Sequence, residues 1–306
     1  MNRLVIALAT LLSLPVDSML ADSPNVFVRG DVNQSGSLEI SDAVSLLGYL
    51  FLGEQALATC LDAADVDGNF RVDISDPLFL LNYLFLGGRQ VPRPFPDCDM
   101  NFFRPEKQLG CPTYSPCEGE PGEARLYGDI FDTRSSAVYF LLDVTGSMEV
   151  TGELGRAKLR MIRALRDLDE DSQFAMFTIE SGTKRFPLEG PPLDATPDAV
   201  ENAVDWLASI RGSSGSCPLA AFDRAFEFLE RSNAQNHRMI YIGDGGGVCG
   251  GASERRYLEA MVERVTETNA GRAIIHAIGI LMRPEGIQRG YLQSLVEQNG
   301  GRYIER

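Results

Sequence analysis

The chain has 306 residues, with 43 acidic and 28 basic side chains, a net charge of −15, two histidines and six cysteines. An apolar fraction of 44% and a charged fraction of 23% exclude wholesale disorder, and the length suits about two domains. The acidity argues against nucleic-acid binding, which needs clustered Lys and Arg, and His237 and His276 alone cannot build a multi-histidine zinc centre.

At the N-terminus, Met1-Asn2-Arg3 precedes a largely apolar run from Leu4 to Val16, the layout of a secretory signal peptide over 1–23. Ala21 and Ser23 form a small–x–small cleavage site that would start the mature chain at Pro24. Proline is awkward directly after a cut, so cleavage after Ala21, leaving Asp22 first, is the alternative. A membrane anchor needs about 20 apolar residues, and neither this run nor any later one offers them. The mature protein is expected to be secreted, periplasmic or at the cell surface, with no membrane span. There, its cysteines read as disulfides rather than metal ligands or nucleophiles.

Residues 24–99 carry eleven acidic and four basic side chains, so the carboxylate excess is densest here. Within this stretch, Ile40–Gly53 recurs as Ile74–Gly87 at an offset of 34, with ten of 14 positions identical. Each copy has helical apolar spacing and ends on a glycine suited to a C-terminal cap. Neither short helix can bury its apolar face alone, so the two copies are expected to pack together. Leu46, Leu47, Leu50 and Phe51 read as core.

An oxygen-rich loop precedes each helix. Asp31, Asn33, Ser35, Glu39 and Asp42 stand at positions 1, 3, 5, 9 and 12 of the first, and Asp65, Asp67, Asn69, Asp73 and Asp76 at those of the second. Ser37 and Arg71, at position 7, would offer backbone carbonyls, as in the EF-hand way of wrapping calcium. Leu38 and Val72, at position 8, are expected to pair the loops through a short strand. The pattern over 27–88 resembles the dockerin family, whose duplicated loop–helix units end the loop with Asp. That resemblance implies calcium bound at these twelve residues and a cohesin-like module as partner; a purely structural calcium module is the other reading. One departure bears on affinity: the sharp turn at position 6 has Gly36 in the first copy but Phe70 in the second, where a left-handed backbone is costly, so the second site is expected to be weaker.

From about 100 to 133, Pro105, Pro112, Pro116 and Pro121 interrupt a stretch without periodicity, which reads as a semi-rigid linker stapled by Cys111 and Cys117. From 134 to 306, apolar β-rich runs alternate with amphipathic helices. Strands are expected at 137–142, 174–179, 184–186, 239–242, 273–280 and 302–304, and helices at 155–168, 197–210, 218–231, 252–269 and 285–299. This alternation predicts an α/β fold with a doubly wound, mostly parallel sheet covered on both faces. Ligands of such sheets bind at the carboxyl ends of the strands.

At one such end, Asp143, Thr145 and Ser147 place a carboxylate and two hydroxyls at alternate positions, and Asp244 follows a later strand in Gly243-Asp244-Gly245. This resembles the von Willebrand factor A family and its metal-ion-dependent adhesion site, a likeness supported by the closing segment Tyr291–Tyr303. It implies Mg2+ or Mn2+ held by Asp143, Thr145, Ser147 and Asp244, with an open coordination position that could accept an acidic side chain from a protein ligand. The family threonine before the helix at 218–231 aligns with Cys217, leaving Ser214 or Ser216 as substitutes, and Gly243 stands where a threonine is usual. Cys217 and Cys249 would lie on loops at this same edge and brace it as a disulfide. Pairing confined to domains gives the same bridge and leaves three options for Cys60, Cys98, Cys111 and Cys117. Viewed alone, Asp143–Ser147 would be a helix-capping turn; His276, inside an apolar strand, reads as a hydrogen-bonded core residue, and Trp206 as packing a helix on the sheet.

Function therefore reads first as a secreted, non-enzymatic binding or adhesion protein. The runner-up is a cohesin-docked component of an extracellular polysaccharide-degrading or scaffold complex. Against an enzyme, the chain has no GxSxG elbow, HExxH pair or nucleotide loop, although a carboxylate-only hydrolase leaves no motif to find.

Overall fold

The computed structural model describes residues 26–53, 60–96, 98–100, 109–111, 114–117, 123–247, 249, 253–282 and 286–306, so the signal segment 1–23 lies outside the described residues. In the N-terminal part, β1 (Val26–Phe27) pairs antiparallel with β2 (Asp99–Met100). Between them run α1 (Ile40–Leu52), the short α2 (Leu61–Ala64) and α3 (Ser75–Leu86). The repeated helices end at Gly53 and Gly87 with φ of 69° and 64°, as their left-handed caps require. They pack on each other around Ala43, Leu46 and Leu80, with Val32, Val66 and Val91 closing the cluster.

Two expectations for this module change. Leu38 and Val72 pack against that cluster but lie in no strand, because side chains rather than a backbone ladder tie the loops together. Phe51 is 68% exposed and is not core. It belongs to a row of exposed apolar residues, Ile40, Val44, Phe51 and Leu52, whose repeat partners Ile74, Leu78, Phe85 and Leu86 are exposed as well. Helical period alone cannot choose which side of a helix apolar on two sides faces inward.

The expected linker also changes over its second half. β3 (Glu123–Leu126) and β4 (Asp129–Asp132) form an antiparallel hairpin. Its Ala124, Leu126 and Phe131 are buried in the core of the large unit, not held in a spacer. The short alternation Glu-Ala-Arg-Leu puts the apolar pair on one face.

The large unit is a seven-stranded sheet. Its strands are β5 (Ser136–Asp143), β6 (Gln173–Ile179), β7 (Arg185–Phe186), β8 (Leu193–Asp194), β9 (Asn236–Gly243), β10 (Ile274–Gly279) and β11 (Tyr303–Glu305). The order is β11-β10-β9-β5-β6-β7, with β8 also on β6; β7 and β8 run antiparallel and the rest are parallel. Every residue of β5 is buried. Val138, Phe140 and Leu142 face one layer, and Ala137, Tyr139 and Leu141 the other, as a strand period of two demands.

On the first face lie α4 (Gly146–Val150), α5 (Glu153–Arg166) and α6 (Pro197–Ser209). On the second lie α7 (Pro218–Leu229), α8 (Glu254–Asn269) and α9 (Ile287–Gln298). The sheet is thus mixed α/β and mostly parallel, with helices on both faces, and β5 and β9 adjoin at its centre, bringing Asp143 and Asp244 to one edge.

Candidate metal centres

At the carboxyl edge of the sheet, Asp143 ends β5 fully buried, and its Oδ1 accepts the Thr145 amide at 2.8 Å. The Ser147 hydroxyl donates to Asp244 Oδ2 at 2.5 Å and lies 3.1 Å from Thr145 Oγ1. Asp244 Oδ1 accepts the Gly246 amide at 2.9 Å. The four side chains anticipated from the sequence are therefore neighbours. Asp143 Oδ2 is left buried without a hydrogen-bond partner, and so is the Tyr241 hydroxyl. Burial, and then the adjacent Asp244 carboxylate, push the Asp143 carboxyl up to about 7. The same burial, with the fields of Asp143 and Asp244, drives the Tyr241 phenol well above its ordinary value. Two crowded carboxylates, one with an orphan oxygen, form a site that a divalent cation would neutralise.

Gly243 is explained by this crowding. A Cβ there would lie 2.4 Å from Asp143 Cβ and 2.9 Å from Oδ2, so no threonine fits that position while Asp143 keeps its place. Ser216 is not joined to the group: its hydroxyl donates to the Gly246 carbonyl at 2.6 Å and links two loops instead. The Ser214 carbonyl accepts from Ser181 Oγ at 2.9 Å. The disulfide Cys217–Cys249 ties the same two loops, and Ser213 donates its amide to the Val144 carbonyl at 2.7 Å. Glu149, missed in the sequence, anchors the loop by accepting the Gly212 amide at 2.6 Å.

In the small module, loop 1 coils on its own carboxylates. Asp31 Oδ1 accepts the Ser35 amide and Oδ2 the Gly36 amide, each at 2.9 Å, and the Tyr114 hydroxyl also donates to Oδ2. Asp42 Oδ1 accepts the amides of Val32 and Asn33, and its Oδ2 that of Glu39. Asn33 Oδ1 accepts the Ser35 amide, Ser35 Oγ donates to the Ser37 carbonyl, and Ser37 Oγ to Glu39.

Loop 2 repeats the plan. Asp76 accepts from the Asp67 and Asp73 amides, and Asp67 from the Asn69 amide and the Ser75 hydroxyl. Asp73 accepts the Ser75 amide, and Arg71 is exposed. One oxygen from each of Asp65, Asp67 and Asp76 lies within 4.8 Å of the others. Asp65 Oδ1 is buried and unpartnered. Burial first, and then Asp67 and Asp65, push Asp76 up to about 7. This acidic cluster with a dry, orphaned oxygen has the chemistry of a divalent-cation site. The turn at position 6 is left-handed in both loops, φ 84° at Gly36 and 69° at Phe70, so the second copy carries the strained residue.

The remaining cysteines pair as Cys60–Cys111 and Cys98–Cys117, and between the two bridges Tyr114 reaches Asp31 of loop 1. His276 is buried with its Nδ1 accepting the Arg302 amide at 3.1 Å, and His237 Nδ1 lies 3.2 Å from the Tyr139 hydroxyl; among the described residues neither stands in a cluster of metal-ligating side chains.

No protein-family model matches this sequence, and no curated relative does. Solved structures similar in fold carry von Willebrand factor A domains. A von Willebrand factor type A protein from Catenulispora acidiphila is 16% identical at a TM-score of 0.49, covering 58% of this chain and 39% of that one. The vWF domain of a type V pili tip protein from Porphyromonas gingivalis is 11% identical at 0.43, covering 56% and 89%. The manganese-loaded TRAP protein of Plasmodium vivax is 18% identical at 0.40, covering 52% and 61%. This chain thus spans about two fifths of the first protein's length. This chain's own class is a mixed α/β fold, its mostly parallel central sheet flanked by helices on both faces.

Proposed function

We propose that this chain is an exported, non-enzymatic binding protein. In this reading, 24–99 is a dockerin-like calcium module and 134–306, together with the hairpin before it, a von Willebrand factor A unit that captures a protein ligand through a divalent ion. The observation that carries this reading is the buried, unpartnered Asp143 Oδ2 beside Asp244. Asp143, Thr145, Ser147 and Asp244 would hold Mg2+ or Mn2+, and the ion would accept an acidic side chain from the partner. This chain's own work is to hold the Asp143 carboxylate dry, to orient Asp244 through the Ser147 hydroxyl, and to fix the rim by Cys217–Cys249. Three disulfides fit an oxidising compartment, and among the described residues no helix is long and apolar enough to cross a membrane. Calorimetric titration of the full chain with Mg2+ and Mn2+ should show a binding step that Asp143→Ala removes while any uptake by the loops of the small module stays. Unchanged binding in that variant would defeat the adhesion reading.

A second reading, a component docked through its small module onto a cohesin-like partner, is favoured by the exposed apolar residues at matching repeat positions. Phe51→Glu combined with Phe85→Glu should then lower affinity for a cohesin module by at least about tenfold in surface-plasmon titration.

A further inference from the structure

The first ligand position of each loop is gripped from outside the loop, and the two grips differ in charge. In loop 1, Asp31 Oδ2 takes a neutral hydroxyl from Tyr114. In loop 2, the equivalent Asp65 Oδ2 takes the Arg29 guanidinium at 3.2 Å. Arg29 is 2% exposed. It also donates to the backbone carbonyls of Asp62 at 3.2 Å, Asp65, and Arg93 at 3.1 Å, and its guanidinium lies 5.6 Å from the Phe27 ring centroid. A buried fork satisfied by three carbonyls and one carboxylate oxygen is a fixed charge, not a swinging side chain.

The extra charge has a counterpart in composition. Loop 1 has three carboxylates (Asp31, Glu39 and Asp42), whereas loop 2 has four (Asp65, Asp67, Asp73 and Asp76) and one basic residue, the exposed Arg71, whose field falls on Asp73. The fourth arises at position 3, where Asn33 becomes Asp67. Without a cation, the acidic oxygens of Asp65, Asp67 and Asp76 would repel one another across less than 4.8 Å.

We propose that Arg29 is a built-in counter-cation of loop 2: it offsets the added carboxylate, lets the loop keep its shape without metal, and occupies Asp65 Oδ2 so that a divalent ion meets only the orphaned, buried Oδ1. This rests on the reading of loop 2 as a calcium site. Because Arg29 stands two residues before Asp31, the same side chain also joins the start of loop 1 to loop 2.

The test is the calcium-dependent rise in melting temperature of the full chain, with Ca2+ as the probe, in wild type, Arg29→Gln and Arg29→Lys. Arg29→Gln removes the charge; the metal-free transition of the small module should fall by roughly 10 °C or more, and the rise on adding Ca2+ should roughly double, because calcium then supplies the compensation. Folding of this variant only with Ca2+ supports the proposal equally. Arg29→Lys keeps the charge and should show a wild-type rise whatever its metal-free stability. An equal loss with and without Ca2+ in Arg29→Gln, or an enlarged rise in Arg29→Lys, would overturn it; should Arg29→Gln fail to fold in both conditions, Arg29→Lys decides. Absence of any Ca2+ uptake by wild type and Asp65→Asn alike would defeat the calcium reading itself, and with it this proposal.

Discussion

The two parts of the molecule reach stability by different means. The large unit buries both faces of its sheet, with Phe140 and Phe174 in one layer and Tyr139, Phe177 and Phe222 in the other. Its interior is mainly apolar, and its one disulfide lies on loops at the rim. The described core of the small module is thinner and split in two: Val32, Ala43, Leu46, Ala64, Val66, Leu80 and Val91 in one cluster, and Phe27, Val28, Ala63 and Tyr114 beside the disulfide cysteines in the other. Two disulfides, a buried ion pair and a web of carboxylate-to-amide bonds make up for it. A sheet covered on both sides can spare its edge for a site, whereas two loop–helix units need the oxygen-rich loops themselves as structure.

That contrast can be broken in order of effect. Replacing Cys60 and Cys111 by alanine opens a loop between partners 51 residues apart and should cost the small module about 2–4 kcal/mol. Two-probe denaturation would show its transition moving while that of the large unit stays. A common shift of both transitions would mean that the two parts unfold as one.

Acid should act on the large unit through His276. Burial first, with Arg238 and Arg302 nearby, pulls its pKa down to about 4. The unfolded chain takes up that proton near pH 6.5 and the folded chain only near 4. Between those values the unfolded state binds more protons, so the stability present above pH 6.5 is lost as pH falls towards 4. Urea titrations at pH 7 and pH 5 should differ by about 2 kcal/mol more in wild type than in His276→Gln. The smallest effect concerns position 6. Phe70→Gly relieves the left-handed strain and should strengthen Ca2+ binding at loop 2 by roughly fivefold in calorimetry, equivalent to about 1 kcal/mol. No gain would mean that the Phe70 ring contributes as much through contact as its backbone costs.

The strands and helices from 136 onward lay in the sequence to within three residues, apart from the short α4 and β8, which had no signal, because runs such as Ala137–Leu142 are apolar on both sides and only a doubly covered sheet accepts them. The meeting of Asp143 with Asp244 was implied by the family resemblance and comes about through the adjacency of β5 and β9, and the disulfide Cys217–Cys249 was expected from the shared edge. What was hidden depends on distance along the chain or on local steric detail. Arg29 and Asp65 are 36 residues apart, and Tyr114 and Asp31 are 83 apart; no local pattern announces either contact. The hairpin at 123–132 was masked by its short strands among prolines and glycines. Phe51 misled because its helix is apolar on two sides.

The want of a side chain at Gly243 has a consequence. Any residue with a Cβ there drives a carbon against Asp143, so a side chain can enter only together with a shift of Asp143 or of the strand that carries it.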